Sequence, residues 1–203
     1  MSFYDDSINK ITNYVVDNTK EKTEDEVEIL KYGIEVIFMN ISKLLVIYLL
    51  AFIFGYLIET IFITLIFGYI RSFASGIHVK GFVKCLTFSL AIFIFIIFTR
   101  GAFELPLIMK IMVSIALVTG IWIYSPADTE EKPYLDEENR KKLKRSAIIV
   151  SIIYTVIWTT SILGIYSNYF VSTLIAQLIL IHPITYKVLG RRYKNYLYES
   201  EYL

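Results

Sequence analysis

The chain has a single cysteine and two histidines, and Cys85 and His78 share one short polar stretch: Arg71-Ser-Phe-Ala-Ser-Gly-Ile-His78-Val-Lys-Gly-Phe-Val-Lys-Cys85. A thiolate is a strong nucleophile, and a neighbouring imidazole can generate it from a thiol that otherwise titrates near ~8.5. Arg71, Lys80 and Lys84 make the surroundings positive, which favours the anion. The pairing points to thiol chemistry at the edge of a membrane. The blander alternative is a packed cysteine beside an unrelated histidine, since unoxidised cysteines are usually small core residues. Geometry sets a condition on the chemical reading. On one continuous helix, residues seven apart are separated by about 10.5 Å along the axis. The histidine would also lean toward the amino terminus, away from the cysteine. Gly76 and Gly81 supply the backbone freedom for a break. The expectation is a loop over residues 75–80 that folds back over the start of the next helix, with Cys85 in its first turns. One unbroken helix from Arg71 through Leu90 would exclude the pair.

The elements that must position these residues are membrane spans. Of 203 residues, 56% are hydrophobic and 19% charged, a balance outside the range of soluble domains. One cysteine excludes an intramolecular disulfide. The acidic start Met1-Ser-Phe-Tyr-Asp-Asp-Ser lacks the basic region of a signal peptide, so the first apolar run reads as retained. The fold class expected is an all-α, polytopic membrane helix bundle forming a single membrane domain, 1–203. It divides into a cytoplasmic polar segment over 1–33, a transmembrane bundle over 34–188 and a cytoplasmic tail over 189–203. In the first segment Phe3, Ile8, Ile11 and Val15 recur at helical spacing and predict an amphipathic surface helix. Thr23-Glu-Asp-Glu26 reads as a capping box opening the next helix.

Six apolar runs follow: Ile34–Phe54, Leu57–Ile70, Phe82–Phe98, Leu105–Tyr124, Ala147–Leu163 and Tyr169–Val188. A crossing needs about 20 residues, with a range of about 17–25. The second run is short, so it is either a distorted crossing or re-entrant. Charge favours a crossing. With six spans and both termini inside, the outer loops carry only Arg100, while Lys10, Lys20, Lys22, Lys31, Arg71, Lys80, Lys84, Lys132, residues 140–145, Lys187, Arg191, Arg192 and Lys194 all fall inside. His78 and Cys85 are then cytoplasmic.

At these residues the chain resembles the accessory gene regulator protein B (AgrB) peptidases of Gram-positive bacteria. The matching pattern is Arg71, Ala74-Ser75-Gly76, His78 and Cys85. A second match is Tyr124-Ser-Pro-Ala-Asp-Thr-Glu-Glu-Lys-Pro133, similar to the family's Pro-x-Asp…Lys-Pro loop, and a third is Tyr32-Gly-Ile-Glu35-Val. The resemblance implies a membrane-embedded cysteine endopeptidase of the bacterial cell membrane that matures a quorum-sensing propeptide. That partner has an amphipathic leader, a short signal sequence and an acidic tail. Cys85 and His78 are the implied catalytic residues. Arg71, Ser75 and Gly76 are supporting candidates, and Asp128, Lys132 and Pro133 candidates for a substrate loop. Ser75 stands where the family often has a second glycine.

For the oxyanion the sequence offers three donors: the Cys85 backbone N–H, the Ser75 hydroxyl or Arg71. Glu35, Asn40 and Asp128 are candidates for orienting His78. Lys43 and Lys110 are read as snorkelling, Glu59 as solvated, Gln177 as an interhelical hydrogen-bond partner, and His182-Pro183 as a packed structural kink. The basic run from Lys141 to Arg145 reads as an anchor to the lipid bilayer, too short for nucleic acid. No metal or cofactor is expected, because no His-Glu-x-x-His motif or phosphate-binding glycine loop is present. A homodimer is compatible with a bundle this small. Two competing functions use the same thiol differently: a peptide transporter or exporter, and a non-enzymatic membrane thiol sensor.

Overall fold

The computed structural model describes residues 10–11, 14–15, 24–77, 81–102, 104–130 and 133–199. The amphipathic surface helix expected before residue 24 lies largely outside them. The chain forms two compact units, residues 1–55 and 56–203. The first contributes α1 (Glu24–Ile53). Its 30 residues reach about 45 Å at 1.5 Å per residue, enough for polar opening turns and then a span over Val36–Ile53. Ile37, Ile41, Leu45 and Leu49 form an exposed apolar row at four-residue spacing, and Lys43 donates to Asn40 Oδ1 one turn back (2.9 Å).

The second unit holds α2 (Leu57–Ala74), α3 (Phe82–Phe98), α4 (Leu107–Tyr124), α5 (Glu137–Thr160), α6 (Ser167–Ile181), α7 (Pro183–Val188) and a short α8 (Asn195–Glu199). With α1, six helices are long and apolar enough to cross a membrane. The second apolar run folds into a helix long enough to cross. Its helix takes in Arg71-Ser-Phe-Ala and reaches 18 residues, about 27 Å.

Helix α6 sits at the centre, against α2, α3, α4 and α5. Its small and polar residues explain this place. Ser167, Asn168, Ser172, Thr173 and Gln177 are all buried, and such side chains let backbones approach and hydrogen-bond across helices in lipid. Gly120 of α4 supplies the closest approach: a Cβ there would stand 2.8 Å from Leu178 Cδ1.

The helices of this unit alternate in direction and define two ends. At the far end, Arg100 pairs with Glu59 (3.6 Å), so Glu59 is engaged rather than merely solvated. Lys110 donates to Ser161 Oγ (2.8 Å) at the close of α5, consistent with a snorkelled lysine. Trp158 Nε1 donates to Asn168 Oδ1 (3.1 Å). The other end carries the polar stretch. There α6 stops at His182-Pro183: His182 Nδ1 accepts from Ile184 N (3.3 Å) and so caps α7, with Pro183 in its first turn. The basic run 140–145 lies in the first turns of α5. Asp136 caps α5, accepting from Glu138 N and Asn139 N (2.9 and 3.3 Å).

Candidate functional site

The helix break falls where the glycines predict. Helix α2 ends at Ala74 and α3 begins at Phe82. Between them Ser75, Gly76 and Ile77 run as a short non-helical segment. His78, Val79 and Lys80 lie outside the described residues, as does Lys132. Cys85 is the fourth residue of α3 and is 6% exposed. Its backbone N–H closes the first helical turn onto Gly81 O (3.0 Å).

The segment before the break is clamped from three directions. Gly76 N donates to Ala127 O (3.1 Å) and Ala127 N to Ala74 O (3.0 Å), an isolated parallel bridge to the loop after α4. Ile77 N donates to Leu180 O (3.3 Å) at the end of α6. Gln177 Nε2 reaches Ser75 O (2.7 Å), so its hydrogen bond runs to this loop rather than to another helix. Arg71 Nη2 donates to Ile77 O (2.8 Å), six residues on. Ser75 Oγ and the Tyr134 hydroxyl share a hydrogen bond of 2.5 Å. These bonds hold the chain just ahead of His78 in one conformation.

Two backbone angles explain the residue choices. Gly76 has φ +124°, and a Cβ there would meet Ile181 Cγ2 at 3.2 Å and Leu180 O at 3.3 Å. Ser75 has φ +56° and ψ −135°, a conformation that favours glycine.

Arg71 dominates the electrostatics. Its guanidinium lies within electrostatic reach of Cys85, Tyr134 and Tyr186, with Phe67 under it at 5.9 Å. Its Nη1 is buried and, among the described residues, has no hydrogen-bond partner. An unsatisfied cationic donor away from water is costly, and it is available for a developing negative charge. Of the three oxyanion donors expected, the Cys85 N–H is already spent in the helix and the Ser75 hydroxyl is engaged by Tyr134.

The loop after α4 serves as a latch. Asp128 is buried, its carboxylate accepting from Asn195 N (2.9 Å) and Tyr196 N (2.8 Å) and so capping α8, while its carbonyl accepts from the Tyr186 hydroxyl (2.9 Å). Glu130 takes Arg191 Nη1 and the Arg192 backbone N–H, both at 3.0 Å. Burial pushes the Tyr193 hydroxyl, beside this latch, up to about 12. Pro133 is half-buried next to Tyr134. Sequence reading missed Tyr134, Glu130 and Asn195. The facing charges of Glu130 and the Arg191-Arg192 pair were the one available signal. The orienting candidate Asn40 is engaged by Lys43, and the side chain of Glu35 lies outside the described residues. Among the described residues no cluster of His, Cys, Asp and Glu is arranged to hold a metal ion.

Comparison with known proteins agrees with this plan. The sequence model of one family, accessory gene regulator B, matches residues 8–184. A putative AgrB-like protein of Clostridium acetobutylicum is 37% identical, over 85% of this chain and 82% of its own. One from Listeria innocua is 33% identical over 82% of each chain. The accessory gene regulator protein B of Staphylococcus carnosus is 33% identical over 63% of this chain and 66% of its own. No solved structure matches.

Proposed function

Because the chain belongs to the accessory gene regulator B family, and with it to accessory gene regulator quorum sensing, we propose that it is a membrane-embedded cysteine endopeptidase that cuts an acidic tail from a signalling propeptide and closes the remainder into a ring. The observation that carries this reading is Cys85 in the opening turn of α3, within electrostatic reach of Arg71, whose buried Nη1 has no hydrogen-bond partner among the described residues.

In this reading Cys85 Sγ adds to the carbonyl carbon of the peptide bond ahead of the tail, and the thiol proton passes to His78. The oxyanion that develops is met by Arg71 Nη1, the buried cationic donor with no partner among the described residues. His78 then gives the proton to the leaving amine, the C–N bond breaks and the tail departs. A cysteine thiol (or serine hydroxyl) of the same peptide attacks the thioester carbonyl. The acyl group moves to it, closing a thiolactone (or lactone), and Cys85 recovers its proton. Ring closure wins over hydrolysis when the internal nucleophile is held close and water is scarce, conditions suited to the apolar edge of a bilayer. The basic residues at this end attract the acidic tail.

The test places the purified protein in liposomes with the propeptide and follows intact masses for wild type, Cys85→Ser, His78→Ala and Arg71→Gln. Expected are tail release and a peptide-sized thioester adduct for wild type only. Arg71→Gln should slow adduct formation by about 10²-fold, the usual loss for one oxyanion donor. Unchanged cleavage by Cys85→Ser would overturn the reading in favour of a transporter or thiol sensor.

A further inference from the structure

A cleft of about 270 Å³ opens between the end of α4 and the start of α5, closed on its third side by residues 193–196. Its charge is unbalanced. Of the acids that line it, Asp128 is already engaged by the tail amides, and Glu137 is held by Lys141 at 2.7 Å. Arg140, Lys144 and Lys194 remain. Arg140 is fixed in place by stacking on Tyr196 (4.1 Å) and by its bond to Tyr134 O (2.8 Å), which leaves the rest of its guanidinium fork for a ligand. Ser125 also lines the cleft. It is 5% exposed, and its Oγ has no hydrogen-bond partner among the described residues. Three cations around a buried hydroxyl with no partner among the described residues suit a phosphate.

The walls indicate which phosphate. Lys144 Nζ lies 6.0 Å from the Trp122 ring. Trp122 is 56% exposed and the adjacent Ile123, itself a lining residue, 55%. Tryptophan and lysine side by side at the end of a span mark the headgroup layer of a bilayer. Below them α4 and α5 expose further large apolar side chains, Ile115 and Ile149 among them. The cleft therefore joins a basic pocket to an apolar face, which matches a lipid with its headgroup in one and its acyl chains along the other. An acidic peptide would need the first and not the second.

We propose that this cleft is a binding site for the phosphate of an anionic phospholipid whose acyl chains lie along α4 and α5. The site is separate from the Cys85 chemistry, and binding is read without any propeptide.

The test is native mass spectrometry of the purified full-length protein, titrated with phosphatidylglycerol or phosphatidylcholine, for wild type, the Lys144→Gln/Lys194→Gln pair and Ser125→Ala. Thermal unfolding identifies any variant that fails to fold. Expected is one phosphatidylglycerol retained per chain in preference to phosphatidylcholine. A lysine near an anionic headgroup is worth about fivefold, so the pair should weaken retention by about twenty-five-fold. Ser125→Ala, the smallest change, should weaken it by a further measurable factor with the fold intact. Equal retention of both lipids, or unchanged retention in every folded variant, would overturn the proposal. So would displacement of the lipid by inorganic phosphate, which would mark a free-phosphate site, or by a short poly-glutamate peptide, which would mark a peptide site.

Discussion

Ser75 and Gly76 both hold positive φ in adjacent positions, one with a side chain and one without. Ser75 occupies a positive-φ conformation at a cost of about 1–3 kcal/mol, offset by its hydrogen bond to Tyr134, worth about 0.5–1.5 kcal/mol. These nearly cancel, so Ser75→Gly is expected to leave thermal stability in detergent unchanged or slightly raised, and Ser75→Val, which keeps the strain and loses the bond, to lower it. A clear loss of stability in Ser75→Gly would mean that the Tyr134 contact dominates. Gly76→Ala should do more damage, because its Cβ meets the Leu180 carbonyl and Ile181 at 3.2–3.3 Å while the backbone is held at positive φ. The bridge to Ala127 must then shift, and propeptide turnover should fall even where the helices stay folded. The glycines as break points were legible from sequence, because no other residue type tolerates such angles freely. Gln177 as a clamp on Ser75 was not: its partner is a backbone carbonyl 102 residues away, a contact with no local sequence pattern.

Among elements, the spans were legible and their joints were not. Apolar runs report the hydrocarbon core directly: the run Phe82–Phe98 coincides with α3, and the run Leu105–Tyr124 starts two residues before α4 and ends with it. The errors sit at polar ends. Helix α5 begins about ten residues before its apolar run, because Asp136 caps it and the basic residues are good helix formers. The tail packs back on the bundle through Asp128 and Glu130, a docking that hydropathy cannot express. This latch has two measurable consequences. Asp128→Ala leaves the Asn195 and Tyr196 N–H groups without their acceptor and should release α8, read as increased mobility of a spin label at position 198 in a Cys85→Ser background. Alkali should do the same by another route. Tyr193 ionises at about 12 in the docked tail, against 10.0 in water, so the docked form keeps a proton that the released form loses. The stability of docking is complete below about pH 10 and is lost as pH rises through about 12. Tyr193→Phe should flatten that part of the profile, and a label equally immobile throughout would show that the tail is held by other means.

For the molecule as a whole, charge at the two ends of the α2–α6 bundle is the feature that bears on its sense in the membrane. At the far end the basic residues Arg100 and Lys110 are both satisfied internally, by Glu59 and by Ser161 at the close of α5, so that end presents little unbalanced positive charge to a loop that must cross the bilayer. At the other end Arg71, Lys84, Arg140, Lys142, Lys144, Arg145 and Lys187 accumulate with few facing acids. Loops rich in lysine and arginine stay on the cytoplasmic side, so the proposed function expects Cys85 on that side, with access to newly made substrate. The sole native cysteine makes this directly testable. In a Cys85→Ser background, a cysteine at exposed Ile162 should react with a membrane-impermeant maleimide on intact cells, and one at exposed Lys142 only after permeabilisation. The reverse pattern would put Cys85 outside, where the substrate would have to be exported before it could be cut.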